Sequence, residues 1–562
     1  MAGMTLPGTY IDVRSEGLIS PGQVTVGNLG VVGTAAKGPI GVPQLLGSLA
    51  DAQATFGAYD SWIDPGTLAK RAGELTLTRA LELVFGFGGS VVYAVRVANG
   101  ATKATYAVPT ATAGQGVLLT AKTPGTWAND DLGVNVAAAT DDAYVQDETF
   151  TGPTDTLVHP PKASARNRLT IFSGGISHSR TIVYDVATPL PGVVSIATTG
   201  ASTGQITYSA GEAPGATDTV KVSYVVPAAN AHLVTLQSGH LQETYTVVNN
   251  KDLARQLSAS AWVDATVGSA LTELPTLTPL TLPPSFASFS GGGNGVSGAD
   301  YGAGLIPLLT QPAHIIVLAG QDDSLGHKLD AHCQKASGDE IKGDRIGIVG
   351  SSALNQANLE ASFDGIIGHS LDSDRIIFVA PGMRATDTPT GDEVTLTGAY
   401  TAAAFAGLLS SFSPQVSPTN KNLPVDELET HFDSAHLKAL LANRVLTIES
   451  RQGFRIVRGI TTSTGSAFAQ ITTRRIIDYA KFGVRSAANP FVGLLNNERV
   501  RGALRASISM FLGNMVDDEM LESYDVSVTA TRAQEIQGIV DVTLVLRPVF
   551  SIDYIKVTMI LQ

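Results

Sequence analysis

Short apolar strands alternate with helices over residues 314–411, and this alternation limits the fold more than any other feature of the chain. The predicted strands are His314–Ala319, Arg345–Val349 and Arg375–Val379. The helices predicted to follow them are Asp323–Ala336, Leu354–Ile366 and Gly398–Ser411. Continuous apolar strands joined by helical crossovers pair in parallel, with helices on both faces. The sequence therefore predicts a parallel α/β sheet here.

The rest of the chain is mixed in character, so we predict an α/β and α+β multi-domain protein. Residues 101–248 are rich in Thr, Val, Gly and Ser and alternate at period two in Thr181–Val186 and Thr219–Val225, which is typical of an inserted all-β domain. Before it, apolar spacing predicts a helix over Ala69–Phe85. The predicted divisions are an N-terminal arm (1–22), a first core part (23–100), the β-rich insert (101–248), the α/β domain (249–420), a C-terminal core (421–547) and a C-terminal arm strand (548–562).

Two predicted strands at the chain ends have no partner nearby in sequence. Thr9–Val13 is isolated by Pro7-Gly8 and by the turn residues after it, and Ile552–Leu561 closes the chain. A lone strand cannot satisfy its own backbone groups, so each must pair elsewhere.

Composition excludes several classes of protein. Charged residues are 15% and hydrophobic residues 44%, which excludes a disordered chain and a coiled coil. The apolar runs are too short to span a bilayer, so no membrane insertion is expected, and no secretory signal is visible. The single Cys333 excludes an intrachain disulfide framework.

The net charge of −13 argues against general nucleic-acid binding, but the charge is unevenly distributed. Between Leu441 and Met510 there are eleven basic residues and three acidic ones. Two interpretations stay open: a solvated basic face with internal ion pairs, or a docking surface for an acidic partner.

Motifs for chemistry are present only in incomplete form. Gly293–Gly298 matches G-x-G-x-x-G, with Asp322 about two dozen residues later, but no buried strand leads into the glycines as a dinucleotide site requires. The pairs His327/His332 and His431/His436 have i,i+5 spacing, which does not direct two rings at one metal. We expect no catalytic residue, cofactor or metal site. An α/β nucleotide-binding enzyme built on the glycine loop is the alternative from another class.

Several short motifs, taken in order, resemble those of contractile tail sheath proteins of bacteriophages and related injection systems. They are Pro7-Gly8-Thr9-Tyr10, the stretch Gly30–Pro39, Phe56-Gly57, the Gly-x-Trp-x-Asn element Gly125–Asn129, the glycine loop Phe289–Gly295 with Asp300-Tyr301, the Arg451–Gly459 strand, Thr461-Thr462, Arg474-Arg475, the Asn489–Leu512 helix region and Ile536-Gln537-Gly538. The insert from about residue 141 to 241 matches nothing in that family.

The resemblance implies a structural function. Such subunits form a helical stack of six-fold rings around a tail tube and contract to drive the tube through the host envelope for genome delivery. Tail tube, baseplate and tail terminator proteins would be the partners, with the protein assembled in the host cytoplasm and located in the virion. A sheath of a bacterial injection system is the alternative within this class.

The resemblance also implies two kinds of site. The terminal arms would add strands to neighbouring subunits, and a helix near Asn496–Leu512 would attach to the tube through arginines beside an apolar stripe. The residues for strand exchange are Thr9, Tyr10, Ile11, Asp12, Val13, Ile552, Tyr554, Ile555, Val557 and Met559. Those for tube attachment are Arg499, Arg501 and Arg505; the alternative is that these arginines pair with Asp517, Asp518 and Glu519 of the same subunit.

Overall fold

The computed structural model describes residues 27–64, 69–71, 73–111, 115–152, 156–279 and 285–560. The chain forms two compact units: unit 1 holds the residues up to 35, 40–98 and those from 296 on, and unit 2 holds 36–39 and 99–295. None of the described helices combines the length and apolarity that a bilayer span requires.

The described part of unit 1 begins with three strands and two helices. They are β1 (Leu29–Gly33), β2 (Gln44–Leu46), α1 (Leu49–Phe56), α2 (Thr76–Gly86) and β3 (Val92–Arg96). The helix predicted to start at Ala69 starts instead at Thr76, so that boundary was wrong. The reason is that the backbone around residue 70 bonds to the preceding segment: Asp64 N donates to Ala69 O and Arg71 N donates to Trp62 O.

Unit 2 consists mainly of strands, with two short helices. The elements are β4 (Thr105–Pro109), β5 (Gln115–Ala121), α3 (Trp127–Asp131), β6 (Leu132–Ala138), β7 (Ala143–Thr151), β8 (Arg168–Ser173), β9 (Ile176–Tyr184), β10 (Val193–Ile196), β11 (Ile206–Tyr208), β12 (Thr219–Val226), β13 (His232–Ser238), β14 (Leu241–Val247), α4 (Asn250–Leu257), β15 (Val263–Val267) and β16 (Ala287–Ser288). Three sheets form, in the orders β11-β10-β9-β8-β12-β7, β14-β13-β6-β16 and β15-β5-β4. Residues 249–295, which we assigned to the α/β domain, fold within this unit, because α4 and β15 contribute to its core through Leu253, Leu257 and Val263.

The remainder of unit 1 contains the α/β region and the C-terminal part. Its elements are α5 (Tyr301–Leu305), β17 (Ile315–Asp322), α6 (Gly326–Ala336), β18 (Ile346–Gly350), α7 (Leu359–Ile367), β19 (Ile376–Ala380), β20 (Met383–Thr386), β21 (Glu393–Leu396), α8 (Gly398–Ser410), β22 (Glu427–Leu428), α9 (Ser434–Ala442), β23 (Leu446–Ser450), β24 (Phe454–Ile456), α10 (Ile471–Ala488), α11 (Glu498–Asp517), β25 (Leu521–Thr529), α12 (Arg532–Gln537) and β26 (Asp541–Pro548).

An eight-stranded sheet organises unit 1, in the order β2-β3-β1-β17-β18-β19-β23-β24. The six inner strands run parallel, while β2 and β24 pair antiparallel at the edges. The predicted parallel strands are confirmed: they correspond to β17, β18 and β19, which pair in parallel. Strands β18 and β19 are buried along their whole length. The α/β and α+β multi-domain class is likewise confirmed.

Alternate side chains of the parallel strands enter two cores. Val31, Val317 and Ile348 pack with α2 and α8 on one face of the sheet. Val32, Leu318 and Phe378 pack with α5, α6, α7 and α9 on the other. Helix α8 lies close to α2 because Gly407 has no side chain; a Cβ there would lie 2.4 Å from the carbonyl oxygen of Val84.

The C-terminal part of unit 1 has its own small core. Helices α10 and α11 pack together and against the antiparallel pair β25–β26, burying Ile476, Ile508, Phe511 and Leu521 among others. The ring of Phe511 lies over Gly483, where a Cβ would come within 1.8 Å. The expected apolar stripe of α11 is confirmed, since Leu504, Ile508 and Phe511 are buried.

Candidate assembly interface

The glycine loop at residues 292–294 is tied to the α3 region. The amide of Gly292 donates to Oδ1 of Asn129 (3.0 Å), and the amide of Gly293 donates to Thr102 O (3.1 Å). Oδ1 of Asn294 accepts from the amide of Thr126 at 2.8 Å. Backbone amides that would hold a phosphate are thus bonded within unit 2, and the loop joins two segments of one unit.

The other residues considered for chemistry are parts of the core. Cys333 is fully buried, and burial raises the pKa of its thiol to about 12. The ring Nε2 of His332 accepts a hydrogen bond from Nη1 of Arg345 at 3.2 Å. No group of three or more His, Cys, Asp or Glu side chains within the described ranges is arranged to hold a metal ion.

Most of the basic residues between 441 and 510 are bonded inside unit 1. Nine of the eleven donate to a carboxylate, an amide oxygen or a backbone carbonyl; they are Arg444, Arg451, Arg455, Arg458, Arg474, Arg475, Lys481, Arg485 and Arg501. Arg499 and Arg505 are exposed and have no hydrogen bond or ion pair to another described residue. Bonds within unit 1 therefore occupy most of the basic side chains of this segment, and the two exceptions are arginines of α11.

The three arginines of α11 are in different environments. Nη1 of Arg501 lies 2.9 Å from Oε1 of Glu535 and also donates to Asn496. Hydrogen bonds from Arg532 and Arg501 hold the pKa of Glu535 below its usual value, so this pair is ionised at neutral pH. Arg501 thus joins α11 to α12. Among described residues, none of the three arginines pairs with Asp517, Asp518 or Glu519.

An exposed apolar cluster lies beside these arginines and was not found from the sequence. Val492, Leu494 and Leu495, in the connection between α10 and α11, and Ile536 on α12 are each more than half exposed. Nδ2 of Asn496 donates to the carbonyl of Ile539 (3.0 Å), which brings the connection close to the end of α12. The apolar residues directly before Asn496 indicate such a cluster in the sequence, but our interpretation placed them in a helix region.

The segment after β26 is anchored at one residue and then exposed. The Asp553 carboxylate accepts hydrogen bonds from Nε of Arg458 (2.8 Å), Nε2 of Gln470 (3.1 Å) and Oγ1 of Thr419 (3.2 Å). Around and beyond it, six large hydrophobic side chains are between 73% and 88% exposed: Ile552, Tyr554, Ile555, Val557, Met559 and Ile560.

Residues 551–560 form no strand in the single chain. A strand needs a ladder partner, and none of the described residues provides one. The strand expected over Ile552–Leu561 therefore stays a prediction about the assembled protein, with Leu561 outside the described residues. The other arm residues, Thr9, Tyr10, Ile11, Asp12 and Val13, also lie outside them.

The sheet β25–β26 is open at both edges. It has two strands, and neither pairs with a further strand among the described residues. Its inner face packs on α11, while Val542 and Val545 of β26 are partly exposed. Two free edges with unpaired N–H and C=O groups are positions where strands from another chain can add.

Comparisons with known proteins relate the chain to one family. Residues 294–462 match the phage tail sheath protein central domain, and residues 463–562 match the phage tail sheath C-terminal domain. The fold is similar to the sheath tail protein of Desulfitobacterium hafniense, with TM-score 0.58 and 15% identity over 96% of this chain and 100% of that one. It is also similar to the sheath tail protein of Listeria innocua, with TM-score 0.57 and 13% identity over 94% and 93% of the two chains. No match to the sequence is found among curated proteins.

Proposed function

We propose that this chain, which belongs to the contractile tail sheath family, polymerises around a tail tube as stacked six-fold rings. It contracts to drive the tube through a host envelope. Members of this family are structural proteins and not enzymes. One observation carries the proposal: a strongly apolar C-terminal segment is exposed on the same unit as a two-stranded sheet, neither edge of which pairs with another described strand. Isolated apolar residues on a surface are ordinary, but six within nine positions favour a partner that covers them.

Strand exchange between copies accounts for both features. In the proposed lattice, residues 552–560 of one subunit add to an edge of β25–β26 in a neighbour, and Thr9–Val13 adds to another free edge. Backbone hydrogen bonds would supply the affinity, and the alternating side chains Ile555, Val557 and Met559 would supply one buried face. Asp553 holds the root of the C-terminal segment on its own subunit, so each added strand links two bodies that remain free to rotate during contraction.

Tube attachment is proposed at α11. Arg499 and Arg505 offer positive charge that no other described residue pairs. Arg501 fixes the helix to α12, and Val492, Leu494 and Leu495 add an apolar border. An acidic surface on the tube protein with an apolar centre would complement this arrangement. The same face would release the tube when the sheath contracts.

The wider setting follows from the same proposal. Baseplate and tail terminator proteins would cap the two ends of the sheath, assembled in the host cytoplasm and carried in the virion. The alternative within the family is a sheath of a bacterial contractile injection system. Particles isolated from the source distinguish these: sheaths joined to capsids indicate a phage, and sheaths without capsids indicate an injection system.

Copurification tests the proposal as a whole. The full chain, expressed together with a tail tube protein from the same genome, should sediment as a long complex that contains both proteins. Recovery of the two proteins as separate small species at high concentration would contradict the proposal.

A further inference from the structure

A cavity of about 540 Å³ lies in unit 1, before the starts of β17 and β18. Its walls include Ile341, Tyr479 and Phe482 as well as charged groups, and Gly27 lies on its border. Since residues 1–26 join the described structure at Gly27, the N-terminal segment enters unit 1 at the edge of this cavity.

Two buried arginines line the cavity without a carboxylate partner. Arg475 is 8% exposed and donates to the carbonyl oxygens of Phe412 (2.7 Å) and Ser413 (3.3 Å). Arg345 is 1% exposed and donates to the carbonyl of Leu308 (2.9 Å), among others. Neither guanidinium has a carboxylate oxygen within 4 Å among the described residues. Buried charges are normally paired, so two unpaired ones at one cavity favour an anion.

Three described carboxylates line the cavity. Glu340 is exposed to solvent, and the other two are already neutralised by other cations. Asp344 is bonded by Lys481, Arg485 and Arg375, and Asp478 is bonded by Arg375 and Arg474. Burial acts to raise the pKa of Asp344, but the hydrogen bonds from Lys481 and Arg485 hold it below its usual value. These two carboxylates therefore leave Arg345 and Arg475 uncompensated.

His314 shows that a polar partner is missing at the same place. Its Nδ1 is buried and has no hydrogen-bond partner among the described residues. Burial, and then the charges of Arg345 and Arg475, lower the pKa of His314 to about 4, so the ring is neutral at pH 7. Its backbone N–H donates to Asn28 O, one residue from Gly27. The neutral ring can donate one hydrogen bond into the cavity beside the two guanidinium groups.

The N-terminal segment contains two carboxylates, Asp12 and Glu16. Glu16 is the nearer of the two to Gly27, eleven positions before it, and Asp12 lies four positions further away along the chain. The sequence therefore selects Glu16.

We propose that the carboxylate of Glu16 docks in this cavity against Arg475 and His314 and thereby anchors the N-terminal arm to its own subunit. This inference concerns the root of the arm. It goes beyond strand exchange by Thr9–Val13 and can be tested in a subunit that has not polymerised.

Hydrogen exchange on the full chain, at dilutions where it is monomeric, tests the proposal with Glu16→Gln and the matched control Asp12→Asn. Loss of a charged hydrogen bond in a buried site should make peptides covering 309–315 and 475–482 exchange about tenfold faster in Glu16→Gln, and leave them unchanged in Asp12→Asn. Benzoate at millimolar concentration, as a free carboxylate, should restore protection in Glu16→Gln and have little effect on the wild type.

Equal exchange in all three proteins would overturn the proposal. Equal protection of the wild type and Glu16→Gln by benzoate would also overturn it, because the cavity would then be unoccupied in the wild type. Neither result bears on polymerisation, so failure here is distinguishable from failure of the proposed function.

Discussion

Nε of Arg458 lies 2.8 Å from the carboxylate of Asp553, and all the described residues that follow Asp553 are exposed. Asp553 itself is almost buried, with 6% of its side chain exposed, and Thr419 and Gln470 also donate to it. This ion pair marks the point where the folded body of unit 1 ends and the apolar C-terminal segment begins.

Replacement of Asp553 by Asn should release the segment without unfolding the subunit. Hydrogen bonds to a charged group are worth about 1.5–3 kcal/mol, so the free energy of unfolding of unit 1 should fall by about that amount. In this variant the C-terminal segment is still present, but its start is no longer held to the subunit. Polymerisation, measured by light scattering, should therefore be slower. Asp364→Asn, at an exposed residue of α7 without a described side-chain partner, is the control, and equal effects of both changes would refute the anchoring role.

The double variant Arg499→Glu/Arg505→Glu should fold normally and fail to bind the tube. Both side chains are exposed and unpaired among the described residues, so reversing their charge removes no internal contact. Cosedimentation with the tube protein measures the effect, and Lys421→Glu/Lys438→Glu, with the same change of charge on exposed residues elsewhere in unit 1, should bind as the wild type does. Wild-type binding by the α11 variant would rule out these arginines as the attachment site.

Arg501→Glu should affect stability as well as binding, unlike the double variant Arg499→Glu/Arg505→Glu. It breaks the contact with Glu535 and places two carboxylates together, so the C-terminal part of unit 1 should lose stability as well as tube binding. Thermal unfolding separates the two cases: the unfolding temperature should fall for Arg501→Glu and stay close to wild type for Arg499→Glu/Arg505→Glu.

Acid should destabilise unit 1 through His332. Burial lowers the pKa of this ring to about 4, whereas in the unfolded chain it is near 6.5. The unfolded chain therefore binds the proton first, and the stabilisation present above pH 6.5 is lost as the pH falls towards 4, by about 3 kcal/mol. Urea unfolding at several pH values measures the effect. In His332→Gln, whose amide oxygen can still accept from Arg345, the free energy of unfolding should fall less steeply with acid than in the wild type. In the exposed His240→Gln it should follow the wild-type profile. An unchanged pH profile in His332→Gln would contradict this assignment.

Sequence patterns predicted the elements that depend on local periodicity. Buried parallel strands such as Ile376–Ala380 are continuous apolar runs, and the stripe of α11 follows from its spacing. The start of α2 was missed because the backbone of Ala69 and Arg71 bonds to Asp64 and Trp62, which no helical pattern reports.

The candidate site was only partly predictable for a related reason. The exposed apolar segment 552–560 is visible in the sequence, but its anchor joins Asp553 to Arg458, ninety-five positions away. The basic segment 441–510 likewise gave no indication that Arg475 and Arg501 are bonded internally while Arg499 and Arg505 are free of described partners. Pairings between distant charges depend on the tertiary fold, so charge counts alone do not locate a docking surface.

Electron microscopy of the negatively stained protein, comparing the full chain with a variant that ends at Ser551, tests most directly whether this protein assembles through its chain ends. The full chain should form regular tubes at high concentration. The shortened variant, with an unchanged circular dichroism spectrum, should remain as separate particles. Tubes of the same diameter and order from the shortened variant would contradict the account.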